Sequence, residues 1–210
     1  MKLAIGDKTY SSWSLRPWLA LKRAGLPFEE VLIRLRRPDT AARIAEVSPT
    51  ARVPVLLLDD GTAIPDSLAI CEWAAEQRPD AGLWPADPTA RALARAAACE
   101  MHAGFAAVRN EFSMDLKLRT TKAPSPAAAA ELRRLVALWS DLRARFGRGG
   151  PFLFGDYGIV DAFFAPVATR VRSYGVDLAA HGDRGEAAAY VEALLAWPDF
   201  LEWERGALEE

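Results

Sequence analysis

The first 33 residues contain the order of elements on which the fold rests, and positions 2–33 read KLAIGDKTYSSWSLRPWLALKRAGLPFEEVLI. Apolar residues with β character occupy positions 2–6, and a polar loop follows at positions 9–14. Positions 15–24 have the apolar spacing of a helix. A further apolar run at positions 28–33 favours a second strand. The segment therefore predicts a β-α-β unit.

The pattern continues with a short helix between Asp39 and Val47. Two apolar runs at positions 53–58 and 62–64 flank the turn Asp59-Asp60-Gly61, and an Asp-Gly turn between such runs predicts a hairpin. A helix is predicted at positions 67–77. Strands and helices alternate in this way throughout residues 1–78, which we interpret as an α/β domain.

Positions 79–87 are rich in Pro, Gly and Asp and predict a linker to a second domain at residues 88–210. Asp87-Pro88 and Ser125-Pro126 each place an N-cap residue before a proline at the first helical position. Long helices should therefore start at both sites. The second domain is predicted to be entirely helical.

The first helix of this domain is predicted to be continuous, because its apolar residues follow spacings of three and four. They are Leu93, Ala97, Met101, Phe105, Val108 and Phe112. Further helices are predicted from 126 towards 147, over 159–174, and around 186–196 and 198–206.

Composition excludes several classes of protein. The net charge is −2, from 26 Lys and Arg against 28 Asp and Glu, without a block of like charge that would favour nucleic acid or a membrane surface. Hydrophobic content of 51% with no apolar run near the roughly 18 residues of a membrane span predicts a soluble globular protein. The apolar run at the N-terminus is too short for a secretion signal.

Cysteine and histidine are scarce. Cys71 and Cys99 lie in helical contexts without the spacing of a zinc site, which favours a reduced cytoplasmic setting and no metal. His102 and His181 are far apart in sequence and poorly supply a catalytic triad. We interpret His102 as a packed or solvent-edge residue.

The loop before the first helix contains Ser11 and Ser12, where backbone N–H groups and the helix dipole favour an anion or a thiolate. Lowering a thiol pKa by about two units needs about 2.7 kcal/mol. One serine hydroxyl contributes about 1.5–3 kcal/mol and a helix end up to about 1–2 kcal/mol, so together they suffice. The alternative is that these serines only cap the helix.

Two further motifs contain polar groups suited to binding a ligand. Pro54 removes a ladder donor at the start of a strand, and a cis Val53-Pro54 bond would turn the Val53 backbone towards a ligand, although trans is the commoner state. Asp66 and Ser67 present a carboxylate and a hydroxyl at the start of a helix. They are either a binding pair or an ordinary N-cap.

Together these motifs resemble the cytosolic glutathione S-transferase superfamily, in particular its serine-type, zeta- or theta-like members of bacterial style. The resemblance rests on four stretches: SSWSLR at 11–16, VPVL at 53–56, DSLAI at 66–70 and FGDYGIVDA at 154–162. It implies an α/β thioredoxin-like N-terminal domain plus an all-α C-terminal helical bundle. It also implies a cytoplasmic homodimer that activates the thiol of glutathione, its co-substrate, for conjugation to or reduction of a small electrophile.

The resemblance assigns roles to particular residues. The catalytic hydroxyl belongs to Ser11 or Ser12. The implied glutathione-binding residues are Trp13, Arg16, Val53, Pro54, Asp66 and Ser67. The implied substrate pocket consists of Met101, Phe105, Arg109, Asn110, Phe112 and Met114.

Two departures from the family pattern matter. Trp13 stands where zeta enzymes have a cysteine, which counts against a zeta-like maleyl cis-trans isomerase. That activity and a non-catalytic glutathione-binding module remain the alternatives. Gly158 stands where the family has a Ser or Thr N-cap, and Asp161 is expected to be structural.

Overall fold

The structure, a computed structural model, describes all 210 residues. Its strands are β1 (Lys2–Gly6), β2 (Glu29–Ile33), β3 (Val55–Leu57) and β4 (Ala63–Pro65). Its α-helices are α1 (Ser12–Arg23), α2 (Thr40–Ala45), α3 (Ser67–Gln77), α4 (Pro88–Ala103), α5 (Ala106–Glu111), α6 (Pro126–Phe146), α7 (Ile159–Tyr174), α8 (Glu186–Leu195) and α9 (Pro198–Glu209). Short 3-10 turns occur at Pro79–Ala81 and Ala179–His181.

The four strands form one mixed sheet in the order β2-β1-β3-β4. β1 is parallel to β2 and antiparallel to β3, and β3 and β4 form the predicted hairpin. Side chains of β1 alternate between the two faces, as a strand requires. Leu3 and Ile5 belong to the main core with α1 and α3, whereas Ala4 packs with Ile44 of α2 on the other face. The α/β thioredoxin-like fold is confirmed.

Helix α7 is the centre of the helical part, and it packs against α1, α4 and α8. Its first turn is fixed by Asp161, whose carboxylate accepts from the N–H of Gly158 at 2.9 Å and the N–H of Leu153 at 3.3 Å. The Tyr190 hydroxyl also donates to it, at 2.8 Å. Desolvation outweighs these hydrogen bonds and raises the pKa of Asp161 to about 6. This buried carboxylate joins α7 to α8 and to the preceding loop.

The prediction of one continuous helix after residue 88 is wrong. α4 ends at Ala103, and Phe105 adopts a left-handed conformation with φ of 55° before α5 begins. Glycine at position 104 weakens helix continuation by about 1 kcal/mol. The Arg109 guanidinium donates to the carbonyls of His102 and Gly104, both at 3.1 Å, so carbonyls freed by the break are paired.

The two parts of the chain share an apolar core. Buried side chains form one continuous cluster from Leu3 in β1 to Ala207 in α9. Helix α1 contributes most to this continuity, since it contacts α3 on the sheet side and α7 and α9 on the helical side. No helix has both the length and the apolar character needed to cross a membrane.

Candidate active site

A cavity of about 650 Å³ lies where the loop before β3, the start of α3 and the end of α4 meet. Trp13 of α1 forms part of its wall. The full lining is Trp13, Ile44, Thr50, Ala51, Arg52, Val53, Pro54, Pro65, Asp66, Ser67, His102 and Arg109. The cavity therefore collects side chains from most of the motifs singled out in the sequence.

The Val53-Pro54 bond is cis, the alternative that places both residues at the cavity. Val55, the next residue, is already in β3 and pairs with Ala4 of the central strand. The Val53 backbone is thus held at the cavity edge by the sheet itself.

Asp66 and Ser67 occupy the N-terminus of α3. The Asp66 carboxylate accepts from the N–H of Leu68 at 2.8 Å, and its other oxygen lies 3.4 Å from Nε2 of His102. Ser67 is 1% exposed, and its hydroxyl has no hydrogen-bond partner. Because buried polar groups in folded proteins are nearly always paired, this hydroxyl is available to a ligand or a water in the cavity.

The serine pair precedes the cavity wall in the chain. Ser11 donates from its hydroxyl to the hydroxyl oxygen of Ser14 at 2.7 Å, and Ser14 also accepts from the N–H of Gly6 at 3.2 Å. The Ser11 side chain does not cap α1, although it stands at the N-cap position. Ser11 and Ser12 are both largely buried and neither lines the cavity, whereas the adjacent Trp13 does.

The Trp13 ring lies against two guanidinium groups. Cζ of Arg16 is 4.2 Å from the ring centroid and Cζ of Arg109 is 4.6 Å from it. Arg16 is fully buried and makes no hydrogen bond through its guanidinium, but it also lies over the Phe163 ring at 4.9 Å. Burial, with smaller repulsion from Arg170 and Arg109, lowers the pKa of Arg16 to about 9. Arg16 supplies a buried positive charge behind the cavity wall and does not line the cavity.

His102 is a cavity residue that the sequence interpretation missed. Its ring packs edge-on against Trp13 at 5.2 Å, and its Nδ1 is buried without a partner. The helix pattern contained a weak signal, because His102 is one position away from the core-facing Met101 and seven before Arg109, the other cavity residue of this region.

No group of three or more His, Cys, Asp or Glu side chains is arranged to hold a metal ion. The polar side chains at the cavity instead carry two hydroxyls, one carboxylate, one imidazole, one indole N–H and two guanidinium groups. Such a set suits a ligand with both an ammonium and a carboxylate group.

Residues 10–77 match the family described as Glutathione S-transferase, N-terminal domain. The maleylacetoacetate isomerase of Rattus norvegicus is 31% identical over 172 residues, which cover 80% of this chain and 76% of that protein. The chain therefore belongs to the glutathione S-transferase superfamily.

A second curated relative and a solved structure support the same family assignment. The probable maleylacetoacetate isomerase of Caenorhabditis elegans is 36% identical over 99 residues, but the match spans only 47% of this chain and 45% of that protein. Over the whole chain, the fold matches a glutathione transferase homolog from Burkholderia gl BGR1, solved with bound glutathione. The TM-score is 0.75, with 25% identity and coverage of 100% of this chain and 98% of the other.

Within this glutathione S-transferase fold, the residues implied as a substrate pocket do not come together. Arg109 lines the cavity and Asn110 is exposed, while the other four are buried in the core: Met101, Phe105, Phe112 and Met114. None of these four lines the cavity, and the apolar spacing that includes Met101, Phe105 and Phe112 is that of a core-facing side.

Five of the six residues implied to bind glutathione lie together, since Trp13, Val53, Pro54, Asp66 and Ser67 all line the cavity. Besides these five, Arg109 and His102, the lining contains residues that no sequence motif marked: Ile44, Thr50, Ala51, Arg52 and Pro65. Thr50, Ala51 and Arg52 belong to the irregular segment before Val53, where no periodic pattern distinguishes a cavity residue from an ordinary loop residue.

Proposed function

We propose that this chain is a glutathione transferase that activates the glutathione thiol for conjugation to, or reduction of, a small electrophile. The observation that carries the proposal is the buried, unpaired Ser67 hydroxyl beside the Asp66 carboxylate, in a cavity that Val53 borders. A γ-glutamyl peptide has the complementary groups for all three.

In this proposal, Asp66 accepts from the ammonium of the γ-glutamyl group, and Ser67 donates to its carboxylate. Both contacts involve a charged partner, and such hydrogen bonds are about twice as strong as neutral ones. The Val53 backbone N–H and C=O then pair with the cysteinyl part of the tripeptide. The thiol is thereby directed towards the start of α1.

Ser11 is the hydroxyl that we assign to the thiolate. A hydroxyl rotates freely about its C–O bond, so the Ser11 and Ser14 pair can reverse its direction when a sulfur anion accepts from Ser11. Ser14 then donates to Ser11 while it keeps the hydrogen bond from Gly6. Ser12 forms no side-chain hydrogen bond and lacks this support.

Positive potential at the start of α1 also stabilises the thiolate form of glutathione. The helix N-terminus favours an anion, and the buried Arg16 guanidinium behind Trp13 adds a full charge. The thiolate sulfur then forms the new C–S bond to the electrophilic carbon, and the leaving group departs with its bonding electrons.

A second candidate is a glutathione-dependent maleyl cis-trans isomerase, because relatives of this chain have the name maleylacetoacetate isomerase. Trp13 separates the two candidates. Its ring fills the space between Arg16 and Arg109, where a cysteine side chain would leave room. We therefore favour transfer over isomerisation.

Assembly and location are part of the proposal. We infer a homodimer from the family resemblance. The unpaired thiols of Cys71 and Cys99, the latter exposed, are consistent with a reducing cytoplasmic compartment. Sedimentation equilibrium would give the mass of the assembly in solution.

One assay distinguishes the candidate functions. The protein is incubated with glutathione and either an activated aryl halide or a maleyl-type diacid, and free thiol and electrophile are followed together. Conjugation consumes one thiol per electrophile, whereas isomerisation converts the electrophile and leaves thiol unchanged. Glutathione binding without either reaction would identify a binding module, and absence of binding at millimolar glutathione would overturn the proposal.

A further inference from the structure

The loop between β1 and α1 is held by a side chain about 200 residues further along the chain. One carboxylate oxygen of Glu210 accepts from the N–H of Lys8 at 2.8 Å. The other accepts from the N–H of Thr9 at 3.1 Å and lies 3.2 Å from the Thr9 hydroxyl. The Glu210 side chain is only 9% exposed, so these are the bonds of a largely buried charge.

Two residues of α9 also hold the loop between β1 and α1. The indole N–H of Trp203 donates to the carbonyl of Lys8 at 3.0 Å, and the Thr9 hydroxyl is 3.1 Å from the carbonyl of Ala207. Neither Lys8 nor Thr9 uses its N–H within its own loop. The backbone N–H groups of these two residues are therefore paired with Glu210, and the Lys8 carbonyl and the Thr9 hydroxyl with α9.

The turn that contains Lys8 and Thr9 leads on to Tyr10 and Ser11. The N–H groups of Tyr10 and Ser11 both donate to the carbonyl of Asp7, at 3.1 and 2.8 Å, which closes a tight turn around Lys8 and Thr9. The Asp7 carboxylate in turn accepts from the side chain of Arg34 at 3.0 Å. A turn held at its centre by Glu210 thus leads directly to the Ser11 hydroxyl.

We propose that Glu210 is a positioning residue for thiol activation, which it serves by fixing the Lys8–Thr9 backbone and so the place of Ser11. This role rests on the proposed function, because it assumes that Ser11 faces the glutathione sulfur. Carboxylate bonds to two adjacent backbone N–H groups are charge-assisted and directional. Misplacement of a reacting group by about 1 Å can reduce a rate by about 10²-fold.

The chain offers a matched pair of variants. Glu210→Gln keeps the shape of the side chain but turns one acceptor into an N–H₂ donor that faces a backbone N–H. Glu209→Gln makes the same change one residue earlier, at an exposed side chain without hydrogen bonds or ion pairs. Glu210→Asp keeps the charge and shortens the reach, which provides a second test if the Gln variant folds poorly.

The first measurement does not require catalysis. Hydrogen exchange in the unliganded proteins reports on the amides of residues 8 and 9, with amides of α6 as the internal reference. We expect exchange at these two amides to become about tenfold faster or more in Glu210→Gln and Glu210→Asp, and unchanged in Glu209→Gln. Equal exchange in all variants would overturn the proposal.

The second measurement separates positioning from general stability. We expect Glu210→Gln to raise the pKa of the bound glutathione thiol and lower kcat about fivefold or more, with KM for glutathione within about twofold, because Asp66 and Ser67 are untouched. Loss of kcat together with a large rise in KM, or no change in thiol pKa, would contradict a positioning role. A wild-type protein that binds glutathione without lowering its thiol pKa would overturn the proposed function and this role together.

Discussion

The hydroxyl of Ser11 donates to the hydroxyl oxygen of Ser14 at a distance of 2.7 Å. Ser14 is fully buried and also accepts from the N–H of Gly6, the last residue of β1. The end of the central strand, the loop and the first turn of α1 are therefore connected through two hydroxyls. This connection distinguishes Ser11 from its neighbour Ser12.

The two serines should respond differently to removal of the hydroxyl. Ser11→Ala is expected to lower kcat by about 10²-fold, because it removes the donor to the thiolate. Ser12→Ala should change kcat by less than about fivefold. Steady-state kinetics at saturating glutathione provides the comparison. A larger loss in Ser12→Ala would transfer the assignment to Ser12, and full activity in both variants would exclude the serine mechanism.

Ser14 should affect the reaction through Ser11. In Ser14→Ala, the Ser11 hydroxyl loses its partner and the Gly6 N–H remains buried without an acceptor, at a cost of about 1–3 kcal/mol in stability. We expect an intermediate loss of kcat, about tenfold, with a higher pKa of the bound thiol. Urea denaturation and a pH profile of kcat measure the two effects. A drop in stability without any change in the pH profile would limit Ser14 to a structural role.

Asp66 should control affinity more than turnover. Asp66→Asn removes the charge but keeps a side chain that tolerates the positive φ of 78° at this position. We expect the Kd for glutathione to rise about tenfold, which corresponds to about 1.4 kcal/mol, with kcat reduced less than about threefold. Glu76→Gln, an exposed acid on the same helix, is the control for calorimetry. An unchanged Kd in Asp66→Asn would remove Asp66 from the binding site.

Asp161 should make the stability of the fold depend on pH. Its pKa of about 6 in the folded protein exceeds the usual 3.8, so the folded state holds the proton more tightly than the unfolded state. The resulting stabilisation is complete below pH 3.8 and is lost as the pH rises through 6. Urea denaturation between pH 4.5 and 7.5 should therefore show the free energy of unfolding of the wild type falling relative to Asp161→Asn. A relative increase with pH would contradict this assignment.

The local patterns of the sequence were enough to predict most of the architecture. The β-α-β unit, the Asp-Gly hairpin and the Pro-initiated helices α4 and α6 follow from periodicity, turn chemistry and caps, all of which act over a few residues. The helix break at Gly104 was not predicted, because the apolar spacing continues across it even though glycine weakens the helix there. The Arg109 side chain pairs with the carbonyls at the break, a contact that the spacing pattern does not contain.

The candidate site was less predictable for a related reason. Asp66 and Ser67 were identifiable because a carboxylate and a hydroxyl occur together at the start of a predicted helix. His102, in contrast, resembled any other polar residue of an amphipathic helix. Arg16 has the spacing of an ordinary helical arginine, and its burial behind Trp13 results from the packing of α1 on α7. The contact of Glu210 with Lys8 joins the two ends of the chain and leaves no local trace in the sequence.

The central claim is that the start of α1 converts bound glutathione into a thiolate, and ultraviolet titration of the thiol in the complex tests it most directly. Thiolate absorbance is followed from about pH 5 to 9 for the wild type and for Ser11→Ala at saturating glutathione. We predict a wild-type midpoint below about pH 7.5 and a Ser11→Ala midpoint close to the usual thiol value of about 8.5. A wild-type midpoint near 8.5 with glutathione demonstrably bound would contradict the account.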